Sequence, residues 1–243
     1  MINTNHHPLL WTSGWDSTFR LLDLLHTTDL VIQPYYLYSI PRKSASMELQ
    51  AIHQILLKIK ERPEWRNRVE HPIIRLGDQY RWGGSHYDEA FQRLCQKLHI
   101  GMQYRYMAVF RDTEAVSGME LCLTSVEGGA SEQLRKTLKA AEGVAGGWEL
   151  SDEAEDDFKT LFGGYRFPLI HTSKVEMARQ AKLKGFEDIL ELAWFCHTPI
   201  DRNPCGLCRP CQMTVSCGLG HRLGSAGMER YLAAKEKKDQ VAV

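Results

Sequence analysis

Apolar residues along this chain fall alternately into short runs and into segments of helical periodicity. The clearest helix covers residues 45–61, where Ile52, Ile55, Leu56 and Ile59 recur at positions i, i+3, i+4 and i+7. Residues 19–25 are apolar on nearly every side, which predicts a buried helix. The pattern further predicts helices at 88–98, 132–141, 174–185 and 227–238, and strands at 9–11, 30–37, 73–76 and 120–125.

This alternation of strands and helices predicts the fold class α/β, with a doubly wound parallel sheet that carries helices on both faces. Residues 103–112 fit either a helix or a strand. Residues 143–164 are rich in glycine and acidic side chains, which predicts a loop or a mobile insertion. Ser173 and Glu176 form a capping box, which predicts that a helix begins at this point.

The composition is typical of an ordinary globular protein, with 43% hydrophobic and 25% charged residues. Lys plus Arg and Asp plus Glu both number 30, so the protein has no net charge that would attract nucleic acid. A nucleic-acid partner is nevertheless left open. No apolar run reaches membrane length and the first residues do not resemble a signal peptide, so we expect no membrane partner and a cytoplasmic location. The length suits one α/β domain at 1–190 with a C-terminal segment, 191–243, packed on it.

Four cysteines near the C-terminus are spaced for a metal ion. Cys196, Cys205, Cys208 and Cys211 follow the pattern C-x8-C-x2-C-x2-C, and the intervening proline and glycine residues favour a tight knuckle over a helix. Four thiolates form a tetrahedral shell that suits Zn2+. A closed shell leaves no open coordination position, so the predicted zinc is structural.

Other interpretations of the cysteines remain open. They could be buried or disulfide-bonded, although the clustering and the absence of a secretory signal favour a metal. An iron–sulfur cluster is a second alternative, but five residues separate Cys217 from Cys211, which is not the ferredoxin spacing. His197 or His221 could replace one thiol ligand. Cys95 and Cys122 lie in apolar patterns and are predicted to be core residues.

A polar turn, Thr12–Thr18, joins the first predicted strand to the first helix. Its small residues leave backbone N–H groups open to an anion, and the helix N-terminus adds positive potential. The hydroxyls of Ser17 and Thr18 could donate to phosphate oxygens. Asp16 would hold Mg2+ or cap the helix. The simpler alternative is an ordinary capping turn without a ligand.

Several motifs in the chain resemble those of one enzyme family. Thr12–Ser17 resembles the S-G-G-x-D-S pyrophosphate loop of the N-type ATP pyrophosphatases, with Ser13 in place of the first glycine. The cysteine cluster resembles the zinc site of one branch, the 7-cyano-7-deazaguanine synthases. The P-L-x-x-x-x-K-x-E motif of that branch matches Pro168–Glu176, with Lys174 as its lysine, and its T-W-S-C motif resembles Trp194–Cys196. The resemblance spans most of the chain.

The resemblance implies a Rossmann-like fold of the adenine nucleotide alpha hydrolase type and an AMP-forming ligase. Such an enzyme adenylates 7-carboxy-7-deazaguanine with ATP, and ammonia then displaces AMP on the way to 7-cyano-7-deazaguanine, a precursor of queuosine. The catalytic residues implied here are Asp16, Ser17 and Lys174, with Mg2+ bound near Asp16. The implied ATP site comprises Trp11, Thr12, Ser13, Gly14, Trp15, Asp16, Ser17 and Thr18. A homodimer is left open.

The chain departs from the family in its middle. The family has a Gly-Gln-rich loop, a Pro-x-Arg-Asn stretch and an S-G-Y-P-D-C-R motif, where this chain has residues 38–43, 101–105 and 125–130. The region that should hold the base-like substrate has therefore changed. Arg42 and Arg105 are the candidates for binding a substrate carboxylate, because guanidinium groups pair well with carboxylates.

Three other functions fit the same motifs. A tRNA thiolase would use the cysteines for an iron–sulfur cluster or as reactive groups, and an iron–sulfur cluster would make the protein brown. A diverged deazaguanine-type enzyme would modify DNA or protein instead of a free base. A non-catalytic zinc protein would bind nucleotide without releasing pyrophosphate, so ATP turnover separates it from the enzymes.

Overall fold

A computed structural model describes residues 6–39, 41–82, 84–98, 100–124 and 130–241. The strands in these ranges are β1 (His7–Leu10), β2 (Ile32–Tyr38), β3 (Ile73–Leu76), β4 (Met119–Glu120), β5 (Leu138–Ala140), β6 (Trp148–Leu150) and β7 (Tyr165–Arg166). The α-helices are α1 (Trp15–Thr27), α2 (Ala45–Glu61), α3 (Ser85–Lys97), α4 (Gln103–Thr113), α5 (Ala130–Arg135), α6 (Asp156–Phe162), α7 (Lys174–Leu183), α8 (Glu187–Leu190), α9 (Arg209–Ser216) and α10 (Gly224–Val241).

Five of these strands form one parallel sheet in the order β3-β2-β1-β4-β7. Leu9 in β1 pairs with Pro34 on one side and with Glu120 on the other, so β1 lies at the centre. The chain first moves from β1 outwards to β3 and then continues on the other side of β1 with β4 and β7. In open α/β sheets, such a reversal leaves a crevice beyond the carboxyl ends of the two central strands, where ligands bind.

Apolar side chains cover both faces of this sheet. One buried cluster joins the sheet to α3, α4 and α6, and a second joins it to α1, α2, α7 and α8. The predicted parallel α/β sheet with helices on both faces is therefore present. A third, smaller cluster surrounds the cysteines of the C-terminal segment. Within the described ranges, no helix is both long enough and apolar enough to cross a membrane.

Several predicted elements are confirmed, and the ambiguous one is a helix. Helix α2 has the predicted bounds, 45–61, and β3 covers the predicted 73–76. Residues 103–112 form α4, which buries Met107 and Phe110 against the sheet. The strand predicted at 120–125 is shorter, because only Met119–Glu120 pairs in the sheet, and residues 125–129 lie outside the described ranges.

The prediction of one helix over 132–141 is wrong. Helix α5 ends at Arg135, and the residues after it form β5, which pairs antiparallel with β6. Three glycines between the two strands have positive φ and let the chain turn back. Cross-strand hydrogen bonds therefore replace those that a longer helix would have made.

The prediction of a loop over 143–164 is also wrong, because this segment contains β6 and α6. Phe158, Leu161 and Phe162 in α6 are buried in the core. Two of the acidic residues that suggested a loop, Asp156 and Asp157, lie in the first turn of this helix, and Asp157 pairs with Arg93 at 2.8 Å. Acidic and apolar residues thus alternate as they do in an ordinary surface helix.

A buried ion pair joins α1 to β4. The Nε and Nη2 groups of Arg20 donate to the two carboxylate oxygens of Glu120, each at 2.7 Å, and His7 Nε2 lies 2.9 Å from the same carboxylate. Burial raises the pKa of Glu120, but the hydrogen bonds from Arg20 and His7 and their charges outweigh it, so the pKa lies below its ordinary value. Its contribution to stability is present above the unfolded-state pKa and is lost as the pH falls through the lower folded-state pKa.

Candidate functional site

The four predicted metal ligands lie together in the structure. Their Sγ atoms are all within 4.8 Å of one another. Measured pairs are 3.4 Å for Cys208–Cys211 and 3.9 Å for both Cys205–Cys211 and Cys196–Cys208. A tetrahedron with Zn–S bonds of about 2.3 Å has edges of about 3.8 Å, so this spacing fits a zinc ion. The cluster could therefore hold a metal such as zinc.

Backbone amides surround the sulfur atoms. The N–H of Cys205 donates to Cys196 Sγ at 3.2 Å, and those of Leu207 and Cys208 donate to Cys205 Sγ at 3.3 Å. The thiol contact with Cys211 lowers the pKa of Cys208 to about 4, and the same contact raises the pKa of Cys211. Donors around a sulfur favour the thiolate, which is the form that binds a metal.

The knuckle between Cys205 and Cys208 requires a glycine. Gly206 has φ +76°, and a Cβ atom at this position would lie 2.0 Å from the carbonyl oxygen of Gly227 at the start of α10. Arg230 in the same helix donates to the carbonyls of Pro204 and Cys205 at 3.0 and 2.9 Å. Helix α10 therefore packs directly on the knuckle and holds its backbone in place.

The other cysteines and histidines lie outside this cluster. Cys95 is exposed on α3, so the prediction that it belongs to the core is wrong. Cys122 is partly buried and packs against the core, so the prediction holds for it in part, and it also lines a cavity. His197 also faces this cavity, and His221 Nε2 lies 3.3 Å from Glu191 on the surface. Four thiols complete the cluster without a histidine.

A cavity of about 800 Å3 lies at the carboxyl ends of β1 and β4, where the strand order reverses. The turn after β1, the start of α7 and the segment that contains the cysteines all contribute to its lining. A second cavity, of about 780 Å3, lies at the opposite end of β1 and is lined by residues such as His7, Lys139 and Arg166. None of the predicted site residues lines that second cavity, so we place the candidate site at the carboxyl end.

The turn before α1 presents its backbone to the cavity. Thr12, Gly14, Trp15 and Asp16 line the cavity wall. Gly14 is the N-cap of α1 and has no side chain that could bond the amides of the first turn. The first amides of a helix have no partner within the helix, so they are open to an anion here.

Four of the predicted ATP-binding residues do not line the cavity with their side chains. Trp11 and Thr18 are buried and bond each other, Nε1 to Oγ1, at 3.0 Å. Ser17 donates its hydroxyl to the carbonyl of Gly14 at 3.4 Å. Ser13 is completely buried, and its hydroxyl has no hydrogen-bond partner among the described residues. These four side chains therefore contribute to the conformation of the turn and not to the cavity wall.

Ser13 has the backbone conformation that the glycine of the family motif would adopt without strain. Its φ is +55°, and its carbonyl accepts a hydrogen bond from the N–H of Trp194 at 2.9 Å. A left-handed conformation costs a residue with a Cβ atom about 1–2 kcal/mol. The contact with Trp194, which leads into the cysteine cluster, holds the turn in this conformation.

Replacing Ser13 with glycine is expected to raise the free energy of unfolding by about 1 kcal/mol, because it removes this left-handed strain. Ser17→Gly is the matched control in α1, and there the change should lower stability by about 0.5–1 kcal/mol, since glycine weakens a helix. Chemical denaturation of the three proteins measures both values. Equal losses in the two variants would contradict the strained conformation of Ser13.

Lys174 and Asp16 form an ion pair at the cavity. The Nζ of Lys174, the first residue of α7, donates to Asp16 Oδ1 in the first turn of α1, and both residues line the cavity wall. The predicted capping box places this lysine, since Ser173 Oγ accepts the amide of Glu176 at 3.2 Å. A lysine in the first turn of a helix opposes the helix dipole, and the carboxylate offsets that cost.

The two arginines predicted to bind a carboxylate lie in different places. Arg42 lines the cavity and pairs with Glu48, Nε to Oε1, at 2.9 Å. Arg105 is buried in a pair with Asp88 and is not part of the cavity lining. The change from the family motif at 101–105 therefore gives Arg105 a structural contact between α4 and α3 instead of a place in the cavity.

Sequence reasoning missed Arg222. Its guanidinium lies 4.5 Å from the ring centroid of Trp15 and 4.9 Å from that of Phe195, and its Nε donates to Glu191 at 2.9 Å. Burial lowers its pKa from the ordinary value. This arginine joins the turn before α1 to the cysteine segment. No local pattern marks it, because its partners are distant in the sequence.

Comparisons with protein-family models, with curated proteins and with solved structures gave no match to this chain. No relative therefore supplies an activity, a substrate or a set of site residues. A functional conclusion must come from the cavity, the turn that lines it and the cysteine cluster beside it. These three features are the candidate site.

Proposed function

We propose that the chain is an ATP-dependent, AMP-forming ligase related to the 7-cyano-7-deazaguanine synthases, with a doubly wound sheet of the adenine nucleotide alpha hydrolase type. Its substrates are ATP, ammonia and a small planar carboxylate, of which 7-carboxy-7-deazaguanine is the first candidate. These reactants place the protein in the cytoplasm. The cysteine cluster holds a structural zinc ion in this proposal.

The meeting of Asp16 and Lys174 at the start of α1 is the observation that carries the proposal. These residues are 158 positions apart and come from the two motifs that resemble the family. They meet at the edge of the sheet where nucleotides bind in open α/β folds. An ordinary capping turn would need neither the lysine nor the cavity of about 800 Å3 beside it.

In the proposed reaction, an oxygen of the substrate carboxylate attacks the α-phosphorus of ATP, and the bond to the bridging oxygen of the β-phosphate breaks. Pyrophosphate leaves, and the nitrogen of ammonia then attacks the acyl carbon and displaces AMP. The open amides of α1 bind the leaving pyrophosphate, and the ammonium of Lys174 offsets its charge. Positioning of this kind supplies most of the catalysis in such transfers.

Asp16 is the residue that would hold Mg2+ beside the phosphates, because its carboxylate lines the cavity next to the open amides. The ion would neutralise phosphate charge when bound. Thr12 lines the same wall, so its hydroxyl could donate to a phosphate oxygen. Ser17 would have to turn its hydroxyl away from the carbonyl of Gly14 to do so.

The test is ATP consumption by the purified protein with 7-carboxy-7-deazaguanine and ammonium, with the products resolved by mass. AMP, pyrophosphate and an amidated or nitrile product are expected. Release of AMP without that product would support the adenylation step and would mean that the acceptor is a different compound or a group on a macromolecule. A protein that binds ATP but releases no pyrophosphate would overturn the proposal in favour of a nucleotide-binding zinc protein.

A further inference from the structure

The segment that contains the cysteines forms one wall of the candidate cavity. Trp194 and Phe195 line this wall, are half-buried and have ring planes inclined by 28°, with centroids 6.3 Å apart. Met213 and Pro210 add apolar surface. A wall of aromatic and apolar groups favours a planar, largely apolar ligand over a highly charged one. The turn before α1 adjoins this wall, because the carbonyl of Ser13 accepts the N–H of Trp194 at 2.9 Å.

Among the described residues, four lysine and arginine side chains line the cavity, and three of them already have an anionic partner. Lys174 pairs with Asp16, Arg42 with Glu48, and Arg222 with Glu191. The fourth is Arg209, on the aromatic wall. No hydrogen bond or ion pair to Arg209 is found among the residues that the structure describes.

Arg209 is an exposed residue at the start of α9, where the positive end of the helix dipole opposes a cation. It also lies between Cys208 and Cys211, so a metal in the cluster would hold its backbone rigidly. An exposed cation beside the aromatic wall, with no partner among the described residues, is available to an anionic group in the cavity.

We propose that Arg209 binds the carboxylate of a planar aromatic acid that lies against Trp194 and Phe195. This inference rests on the proposed ligase function, and it assigns the part of the same cavity that would bind the carboxylate substrate. The planar guanidinium can pair with both carboxylate oxygens and so orient the acid before its adenylation. Arg42 is less suited to this role, because Glu48 already neutralises its charge.

Calorimetry on the zinc-loaded full chain tests the inference, with 7-carboxy-7-deazaguanine and its decarboxylated analogue, 7-deazaguanine, as probes. Arg209→Gln is expected to weaken binding of the acid by about 10- to 100-fold, as the loss of a charged hydrogen-bonded pair does. Binding of 7-deazaguanine and of ATP should change by less than about 3-fold, because neither would use this arginine. Arg209→Lys should recover part of the affinity for the acid, since it keeps the charge but not the planar fork.

Arg202→Gln is the matched control, because Arg202 lies in the same segment and bonds Gln50 away from the cavity. It should bind the acid as the original protein does. Equal weakening by both substitutions, or equal weakening for the acid and 7-deazaguanine, would overturn the role of Arg209. If the unsubstituted protein binds ATP but not the acid, this inference is overturned and the proposed ATP site is retained. A protein that binds neither would overturn the proposed function as well.

Discussion

Cys211→Ser is expected to release the metal from the cysteine cluster and to lower the unfolding temperature by about 10 °C. A ligand present at 1,000 times its dissociation constant adds about 4 kcal/mol of stability. In a chain of this size, 1 kcal/mol corresponds to roughly 2–4 °C. Cys211 is buried and lies 3.4 Å from Cys208 and 3.9 Å from Cys205, so no other thiol can take its place. Elemental analysis and thermal unfolding measure the two effects.

Cys217→Ser is the control for this experiment, because Cys217 follows α9 in the same segment but lies outside the cluster. It should keep about one metal ion per chain and the unfolding temperature of the original protein. The metal found in the original protein also separates zinc from an iron–sulfur cluster, which would absorb visible light. Full metal content in Cys211→Ser would contradict the proposed site.

Lys174→Met is expected to lower ATP turnover by about 10²–10³-fold, which is the usual cost of removing one group that stabilises developing charge. The substitution removes the ammonium from the cavity and leaves the carboxylate of Asp16 without its lysine partner beside the proposed phosphate site. Repulsion between that carboxylate and the phosphates adds to the loss. Release of pyrophosphate at saturating ATP measures the effect.

The chain offers a matched control in Lys184→Met. Lys184 follows α7 and pairs with Asp23 of α1, so the same two helices are joined by a second lysine–aspartate pair away from the cavity. Both lysines are partly buried, with side-chain exposures of 18% for Lys174 and 24% for Lys184. Only Lys174→Met should lose turnover, and both variants should remain folded. Equal loss of turnover in the two would mean that the pairs only hold the helices together.

Much of the fold could be predicted from the sequence because its signals are local. Helix 45–61 follows from apolar residues that recur with the helical period, and the start of α7 follows from Ser173 bonding the amide of Glu176. The hairpin of β5 and β6 was missed for the opposite reason. Its strands are three residues each and pair with one another, so neither is long enough to show a pattern of its own.

The candidate site divides in the same way. The spacing of the four cysteines determined the thiol cluster, because short steps between thiols bring them around one point, and the turn before α1 was visible as a motif. Only the tertiary structure decided that Lys174 reaches Asp16, that Asp88 holds Arg105 outside the cavity and that Arg209 has no partner within the described ranges. Each of these outcomes depends on which distant charges the packed helices and the sheet bring within hydrogen-bonding distance, and no local pattern encodes that.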